Sequence, residues 1–192
     1  MPMGFKFLAL GTTSAMADEA YATSVIDFSS QWNPGSWAAA QAVGAPDTFS
    51  YGDISTAWAP GPANGTLEFL SLGYATPLYS SGAVIRETYG NGFVYQVDAI
   101  DTIGTAHQVW SGQDTSLPGT PVDFALSWKT TTFQTAGLKI YVNTDHNLSA
   151  WEEIDSVKLI GQVTAPVPEP ETYAMMLAGL ALLGAVARRK QG

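Results

Sequence analysis

Alternating apolar and polar residues dominate the middle of this chain. The run from Leu138 to Val142 is typical, since positions 138, 140 and 142 are apolar while Lys139 and Tyr141 lie between them. Successive side chains of a strand point to opposite faces of a sheet, so the run predicts a half-buried strand. Comparable short runs bounded by turn residues lie at 25–28, 66–72, 83–89, 93–99, 108–110, 124–128 and 154–160. The pattern predicts an all-β domain.

Two local signals add detail to this prediction. Asn91-Gly92 lies between two strand-like runs, and both residues tolerate positive φ, so the pair predicts a β-hairpin whose flanking strands pair antiparallel. The alanine-rich segment Trp37 to Val43 follows Pro34 to Ser36 and predicts a short helix. Because both faces of a sheet need cover, we expect the strands to form a jelly-roll β-sandwich of two sheets.

A different pattern ends the chain. An apolar run from Tyr173 to Ala187 follows Pro168-Glu169-Pro170 and precedes Arg188-Arg189-Lys190. As a single hydrophobic helix, about 15 residues rise roughly 23 Å, against a hydrocarbon core of about 30 Å, which predicts a short membrane span. The cations behind it would stay on the cytoplasmic side, so the residues before Pro168 would lie outside the membrane.

This order of features resembles the PEP-CTERM sorting signal of Gram-negative bacteria, over roughly residues 166 to 190. The resemblance implies exosortase, a membrane transpeptidase-like enzyme, as the partner that recognises and processes the tail. The sorting determinants would be Pro168, Glu169, Pro170, Arg188, Arg189 and Lys190. It further implies export to the cell envelope or beyond, with a tail that is either retained or cleaved. An ordinary tail anchor behind a proline-rich linker is the alternative.

The N-terminus predicts a matching export signal. Lys6 precedes the apolar residues Phe7 to Leu10, and Ala15-Met16-Ala17 has the small-x-small pattern of a cleavage site. A buried first strand is the alternative interpretation of this segment. The resulting organisation is a weak signal peptide at 1–17, a β-sandwich at 18–163 and a sorting tail at 164–192, with its transmembrane segment at 173–187.

Charge and composition exclude several classes of function. Between Asp18 and Pro170 there are 16 acidic and four basic residues, a net charge near −12, which argues against a nucleic-acid partner. The sequence contains no cysteine for disulfides, thiolate metal sites or nucleophilic catalysis. His107 and His146 lack a metal-ligand spacing. Glu152-Glu153 with Asp155 indicates a solvated strand edge rather than an acid–base pair. We therefore expect no enzymatic activity.

The order of residues in the middle region carries a second resemblance. It rests on Trp37 to Gly44, Ala45-Pro46-Asp47-Thr48, Ala57-Trp58, Leu67 to Phe69, Ile85 to Tyr89 and Trp151 to Gly161. Over about residues 25 to 162 the chain is similar to the discoidin-like, coagulation factor 5/8 C-type branch of the galactose-binding-like fold. That resemblance implies a non-catalytic sandwich that binds carbohydrates or other surfaces through loops at one end.

Calcium is the one cofactor that the second resemblance brings into consideration. Related sandwich domains often hold a structural calcium near a loop such as the one containing Asp47 and Asp53, and hard cations favour carboxylate and carbonyl oxygens. Simple turn-forming aspartates are the alternative. Glu87, inside an alternating strand beside Arg86, is predicted to be a buried structural carboxylate.

The six tryptophans favour a carbohydrate-binding interpretation, because an indole face can stack on the apolar face of a sugar ring. Three of them are predicted to pack in the core, namely Trp58, Trp128 and Trp151. Trp32 and Trp110 lie in loop-like surroundings and are candidate ligand-binding residues. His146 is a third candidate, because Asp145 beside it could raise its basicity.

Together these features predict an exported binding module for adhesion or matrix attachment, with carbohydrate or exopolysaccharide as its partner. A structural or assembly protein of the cell surface or biofilm matrix, with no small ligand, is the alternative. A secreted glycosidase or lyase is a third interpretation, and it requires two competent carboxylates in a cleft.

Overall fold

Eight antiparallel strands form the folded part of the computed structural model, which describes residues 17–166, 175–176 and 178–180. A 3-10 helix, Ala39–Ala42, lies where the sequence predicts a short helix. The all-β prediction is confirmed. The strands are β1 (Asp18–Tyr21), β2 (Ser24–Phe28), β3 (Leu67–Tyr89), β4 (Val94–Asp101), β5 (Ala106–Ser111), β6 (Val122–Ser127), β7 (Thr135–Asn143) and β8 (Glu153–Gln162).

Strand β3 joins the two sheets of the sandwich. Its first part pairs with β2 and β7, and beyond a register shift between Gly73 and Leu78 it pairs with β8 and then β6. One sheet therefore has the order β2-β3-β7-β4-β5, and the other has the order β1-β8-β3-β6. The predicted strands at 66–72 and 83–89 are the two halves of this single element. The sequence separates them because Gly73 and Pro77 interrupt the apolar alternation.

The two sheets pack over one apolar core, as the jelly-roll prediction requires. In β7 the predicted alternation is confirmed, since its three apolar positions are fully buried while Lys139 and Tyr141 are only partly buried. Burying a side chain of this size contributes about 1.5–3 kcal/mol. Fully buried members of the core from the two sheets include Leu70, Leu72, Val97, Leu138, Ile140, Val142, Ile85, Val157 and Leu159.

The predicted hairpin at Asn91-Gly92 is wrong. Strand β3 ends against β8, and β4 begins against β7, so residues 90–93 carry the chain from one sheet to the other. Gly92 does adopt a positive φ of 101°. Asn91, however, is fully buried instead of standing at a turn tip. The predicted positive φ is confirmed at Gly92 but not at Asn91, and long-range packing decided which strands pair.

Four connections gather at one end of the sandwich, which we call the loop end. They follow β2, β3, β5 and β7 and comprise residues 29–66, 90–93, 112–121 and 144–152. The described domain begins and ends at the opposite end, where Asp18 pairs with Gly161 and its carboxylate accepts a hydrogen bond from the Val163 N–H at 3.2 Å. Residues 163–166 therefore leave the sandwich on the side away from the loop end.

Several predicted segments fall outside the described residues. They are residues 1–16 of the signal peptide, the Pro168-Glu169-Pro170 motif, the basic residues 188–190 and most of the 173–187 segment. The described part of that segment, 175–176 and 178–180, is helical. Among all described residues, none of the helices has the length and apolar character needed to span a bilayer.

Candidate functional site

Three tryptophans from two connections, the one after β2 and the one after β7, meet at the loop end. Trp32, Trp37 and Trp151, together with Asp53 and Ala59, line an opening of about 290 Å³ that we call the tryptophan cleft. The rings of Trp32 and Trp151 stand edge to face with centroids 5.2 Å apart, a geometry that aromatic pairs favour. Trp32 remains 51% exposed, so the cleft offers apolar aromatic surface to solvent.

Hydrogen bonds of Trp58 and its neighbour Ala59 connect the cleft to the core. Trp58 is fully buried, as predicted, and pairs through its backbone with Ile154 at the start of β8. Its indole N–H donates to the Ser30 carbonyl at 3.1 Å. The Trp32 N–H donates to the carbonyl of Ala59, next to Trp58, at 2.9 Å. The loop that carries Trp32 is thereby fixed to the core.

Trp37 is held in an uncommon conformation. Its φ is +50°, the only positive value among the described residues other than glycine, and that region costs a bulky side chain about 1–2 kcal/mol. Its indole N–H donates to Glu153 Oε1 at 3.0 Å, and its backbone N–H donates to the Ser55 carbonyl at 3.2 Å. These contacts fix the ring at the cleft wall.

An acidic pair lies behind the tryptophans. Glu153 is fully buried and accepts hydrogen bonds from the Trp37 indole at 3.0 Å, the Ile54 N–H at 3.3 Å and the Thr88 hydroxyl at 3.4 Å. Burial above all, and the neighbouring Asp53 carboxyl, raise the pKa of Glu153 to about 8, although the Ile54 and Trp37 donors oppose the shift. Burial therefore favours the protonated form of Glu153, and Asp53, whose side chain is exposed, is the acidic group that the cleft presents to a ligand.

The predicted solvated edge at Glu152, Glu153 and Asp155 is wrong, because all three side chains are buried. The connection after β2 covers the start of β8, and the backbone N–H groups of Asp47 and Thr48 donate to Asp155 Oδ1 at 3.3 and 3.1 Å. Neither carboxyl oxygen of Glu152 has a hydrogen-bond partner among the described residues. Burial raises the pKa of Glu152 to about 8.

The three predicted ligand-binding residues do not share one site. Trp32 lies in the tryptophan cleft. Trp110 belongs to β5, packs against the core, and contacts Phe124 edge to face at 5.7 Å between ring centroids. His146 is exposed and borders a second cleft.

Sequence reasoning missed two walls of the tryptophan cleft. Trp151 is half-buried in the cleft, although it was predicted to belong to the core, and Trp37 was not considered as a site residue. Trp128, the third predicted core tryptophan, does pack against the core; it is half-buried, and its indole donates to the Ser80 carbonyl at 3.2 Å. The sequence does contain a signal that Trp151 borders a site, because Trp151 directly precedes the acidic residues at the start of β8.

The second cleft is polar and lies beside the connection after β5. It is open to solvent, and its wall includes Gly92, Gln113, Asp114, Asn143 and His146. Behind this wall, Glu87 is fully buried, as predicted. Burial first, and then the hydrogen bond and charge of Asp114, raise the pKa of Glu87 to about 10. Two carboxyl groups therefore meet directly inside the loop end.

Asp47 and Asp53, the predicted calcium ligands, lie against different carboxyl groups. Asp47 packs beside Asp155, and Asp53 packs beside Glu153. Within residues 17–166, 175–176 and 178–180, no group of three or more His, Cys, Asp or Glu side chains is arranged to hold a metal ion. Calcium binding by Asp47 and Asp53 stays a prediction.

Comparison with protein families gives two matches. A family model described as PEP-CTERM protein-sorting motif matches residues 166–190, which confirms the predicted sorting signal. A second, described as Pappalysin-1, SD scarf domain, C-terminal, matches residues 12–169. None of the curated proteins matches this chain.

Among solved structures, the crystal structure of reduced XRCC1 bound to the DNA polymerase beta catalytic domain is similar in fold. That likeness has a TM-score of 0.57 at 16% identity and covers 78% of this chain and 100% of the other. Allantoicase from Saccharomyces cerevisiae gives a TM-score of 0.48 at 14% identity, with 71% and 39% covered. Truncated AlyQ with CBM32 and alginate lyase domains gives a TM-score of 0.47 at 13% identity. That likeness covers 81% of this chain and 36% of the other. This chain thus spans well under half of the last two proteins.

Proposed function

Because the chain belongs to the family described as Pappalysin-1, SD scarf domain, C-terminal, and carries a PEP-CTERM sorting motif, we propose that it is an exported module, sorted by exosortase, that binds carbohydrate at the cell surface. The sorting motif indicates export to the envelope of a Gram-negative bacterium. The ligand is a neutral or weakly cationic glycan, such as an exopolysaccharide, and the protein holds it without catalysis.

The observation that carries this proposal is the tryptophan cleft. Sugar rings have apolar C–H faces and polar rims, so they need an exposed aromatic surface with a hydrogen-bonding group beside it. Trp32 supplies the exposed ring, Trp37 and Trp151 supply the walls, and Asp53 supplies a carboxylate at the rim. The acidic balance of the domain disfavours polyanionic ligands such as nucleic acid.

The position of the cleft suits attachment. Residues 163–166 leave the sandwich at the end opposite to the cleft, so a protein held by its C-terminal tail would present the cleft outward. The loop end also carries large exposed apolar side chains, namely Trp32, Phe49, Leu117 and Leu148. An end rich in exposed apolar groups is typical of an interaction surface.

The test is binding of the purified full chain, in mild detergent, to a glycan array and to exopolysaccharide from a producing bacterium. We expect Trp32→Ala to weaken binding at least tenfold, which corresponds to about 1.4 kcal/mol. Phe49→Ala is the matched control, because Phe49 is an aromatic residue of the same connection, 76% exposed, and does not line the cleft.

Equal losses in both variants would place binding outside the tryptophan cleft. Absence of binding to every glycan would favour the structural matrix protein without a small ligand.

A further inference from the structure

We propose that Glu87, Asn91 and Asp114 form a calcium-binding site inside the loop end, separate from the tryptophan cleft and from Asp47 and Asp53. The inference does not rest on carbohydrate binding. It starts from oxygen atoms that the fold buries without hydrogen-bond donors.

Each of the three side chains has one satisfied polar group and one unsatisfied oxygen. Glu87 Oε2 accepts the Gly92 N–H at 2.9 Å, and Asp114 Oδ1 accepts the Ser116 N–H at 2.9 Å. The Asn91 amide donates to the carbonyls of Leu117 and Thr120, at 3.2 and 2.8 Å. Apart from a proton shared between Glu87 and Asp114, nothing among the described residues satisfies the remaining oxygens, Glu87 Oε1, Asn91 Oδ1 and Asp114 Oδ2.

Burial makes these unsatisfied oxygens costly. Glu87 and Asn91 are fully buried, and Asp114 is only 2% exposed. A buried polar group without a partner costs about 1–3 kcal/mol, and more when it is charged. Gly92, which donates to Glu87, directly follows Asn91, and Asn91 binds the connection that carries Asp114, so the three side chains lie in one part of the loop end. A single bound group there could satisfy their oxygens.

Within residues 17–166, no lysine or arginine side chain is placed to neutralise this site. Arg86 pairs with Asp123 at 3.0 Å, Lys158 pairs with Glu19 at 2.8 Å, and Lys139 lies over the Phe69 ring at 3.6 Å from its centroid. Lys129, the remaining basic residue of 17–166, follows β6 at the opposite end of the sandwich. Glu87 and Asp114 nevertheless touch each other. Such a pair must either share a proton or bind a cation.

The ligand chemistry favours Ca²⁺. Two carboxylates and one amide oxygen are hard ligands, and Ca²⁺ completes six to eight positions with carbonyl oxygens and water in flexible geometry. The connection after β5 packs closely against Gly92, the residue that donates to Glu87. A Cβ atom at Gly92 would lie only 2.8 Å from the Ser116 carbonyl oxygen. Asp114 also borders the second cleft, which gives a path from solvent.

The experiment is calorimetric titration of the full chain with CaCl₂ after treatment with chelator, combined with thermal unfolding. We expect one Ca²⁺ per chain and a higher unfolding temperature with calcium. Asp114→Asn and Glu87→Gln keep the shape of the side chains but remove charge, and each should weaken calcium binding at least tenfold.

Asp53→Asn is the matched control, because Asp53 is the carboxylate of the other predicted calcium site. Its calcium affinity should equal that of the parent protein. If the carboxyl pair is only structural, the unfolding temperature of the parent protein will not respond to calcium. Asp114→Asn and Glu87→Gln will then both be more stable than the parent without calcium. This result would overturn the proposal. Loss of binding in Asp53→Asn alone would overturn it as well, by assigning calcium to the other site. Glycan binding is measured separately, so the two proposals can fail independently.

Discussion

The contribution of a buried carboxyl group at the loop end to the stability of the fold depends on its protonation state. Glu152 illustrates this, because both of its oxygens are buried without partners among the described residues, so its neutral form is the one compatible with the fold. The acidic residues of this end are therefore a source of pH-dependent stability rather than a solvated surface.

We predict that Glu152→Gln makes the protein less sensitive to alkaline pH. The folded-state pKa of Glu152, about 8, lies above its ordinary value of 4.5. Its contribution to stability is therefore full below about pH 4.5 and is lost as the pH rises through 8. Each pH unit in that window costs at most about 1.4 kcal/mol. Thermal unfolding at pH 5, 7 and 9 measures the effect.

The control for that series is Glu19→Gln, which changes an exposed glutamate paired with Lys158. Its unfolding temperatures should follow those of the parent protein. Parallel pH profiles for Glu152→Gln and the parent would contradict the prediction.

Gly92 is a residue whose replacement should harm the fold. Alanine there would adopt an unfavourable φ of 101°, and its Cβ would stand 2.5 Å from His146 Nε2 and 2.8 Å from the Ser116 carbonyl. Gly104 has a similar φ of 88° but nothing within 4 Å of the same atom. We expect Gly104→Ala to cost about 1–2 kcal/mol of unfolding free energy. Gly92→Ala should cost clearly more, and denaturant titration of both proteins compares them. Equal losses would mean that the connection relaxes around the new methyl group.

At the scale of elements, the long strand β3 and the tail have separate roles. By running through both sheets, β3 lets one strand pair with β2, β7, β6 and β8, so its pairing ties the sandwich together. The tail beyond residue 166 carries the match to the sorting motif. Processing can therefore be disturbed without disturbing the sandwich.

We predict that replacing Pro168, Glu169 and Pro170 with alanine abolishes processing of the tail in a bacterium with exosortase. Proline cannot continue a helix and favours an extended backbone, which an enzyme can reach. Intact mass spectrometry of the exported protein measures the outcome. A mature mass reduced by the same amount in the variant and the parent would show that the motif is not needed. Substituting Glu171 is the control, because it lies outside the tripeptide.

At the scale of the whole molecule, the fold places the limits of the described sandwich and the two clefts at opposite ends. Both limits of the described sandwich, Asp18 and Val163, lie together at one end. The four connections of the loop end, with both clefts, lie at the other end. This arrangement suits a module that is fixed at one side and contacts a glycan at the other. The buried pair Glu87 and Asp114 lies inside the loop end, where calcium would stiffen the connection after β5.

The sequence by itself determined the class of the fold and the sorting signal, because both depend on residues that are close together along the chain. Alternation within short runs predicts strands regardless of their partners, and a motif, an apolar run and three cations are read in one direction along the chain. The same local rule predicted positive φ at Gly92 correctly.

Only the tertiary structure decided which residues share a site. Trp37 contacts Glu153 across 116 positions of sequence, and Trp32 meets Trp151 through a fold that brings distant loops to one end. Burial of Glu152, Glu153 and Asp155 likewise depends on a connection from the other half of the chain. Periodicity in the sequence predicts which face of a sheet a side chain occupies. Which residues cover that face depends on strand order and packing, and these involve the whole chain.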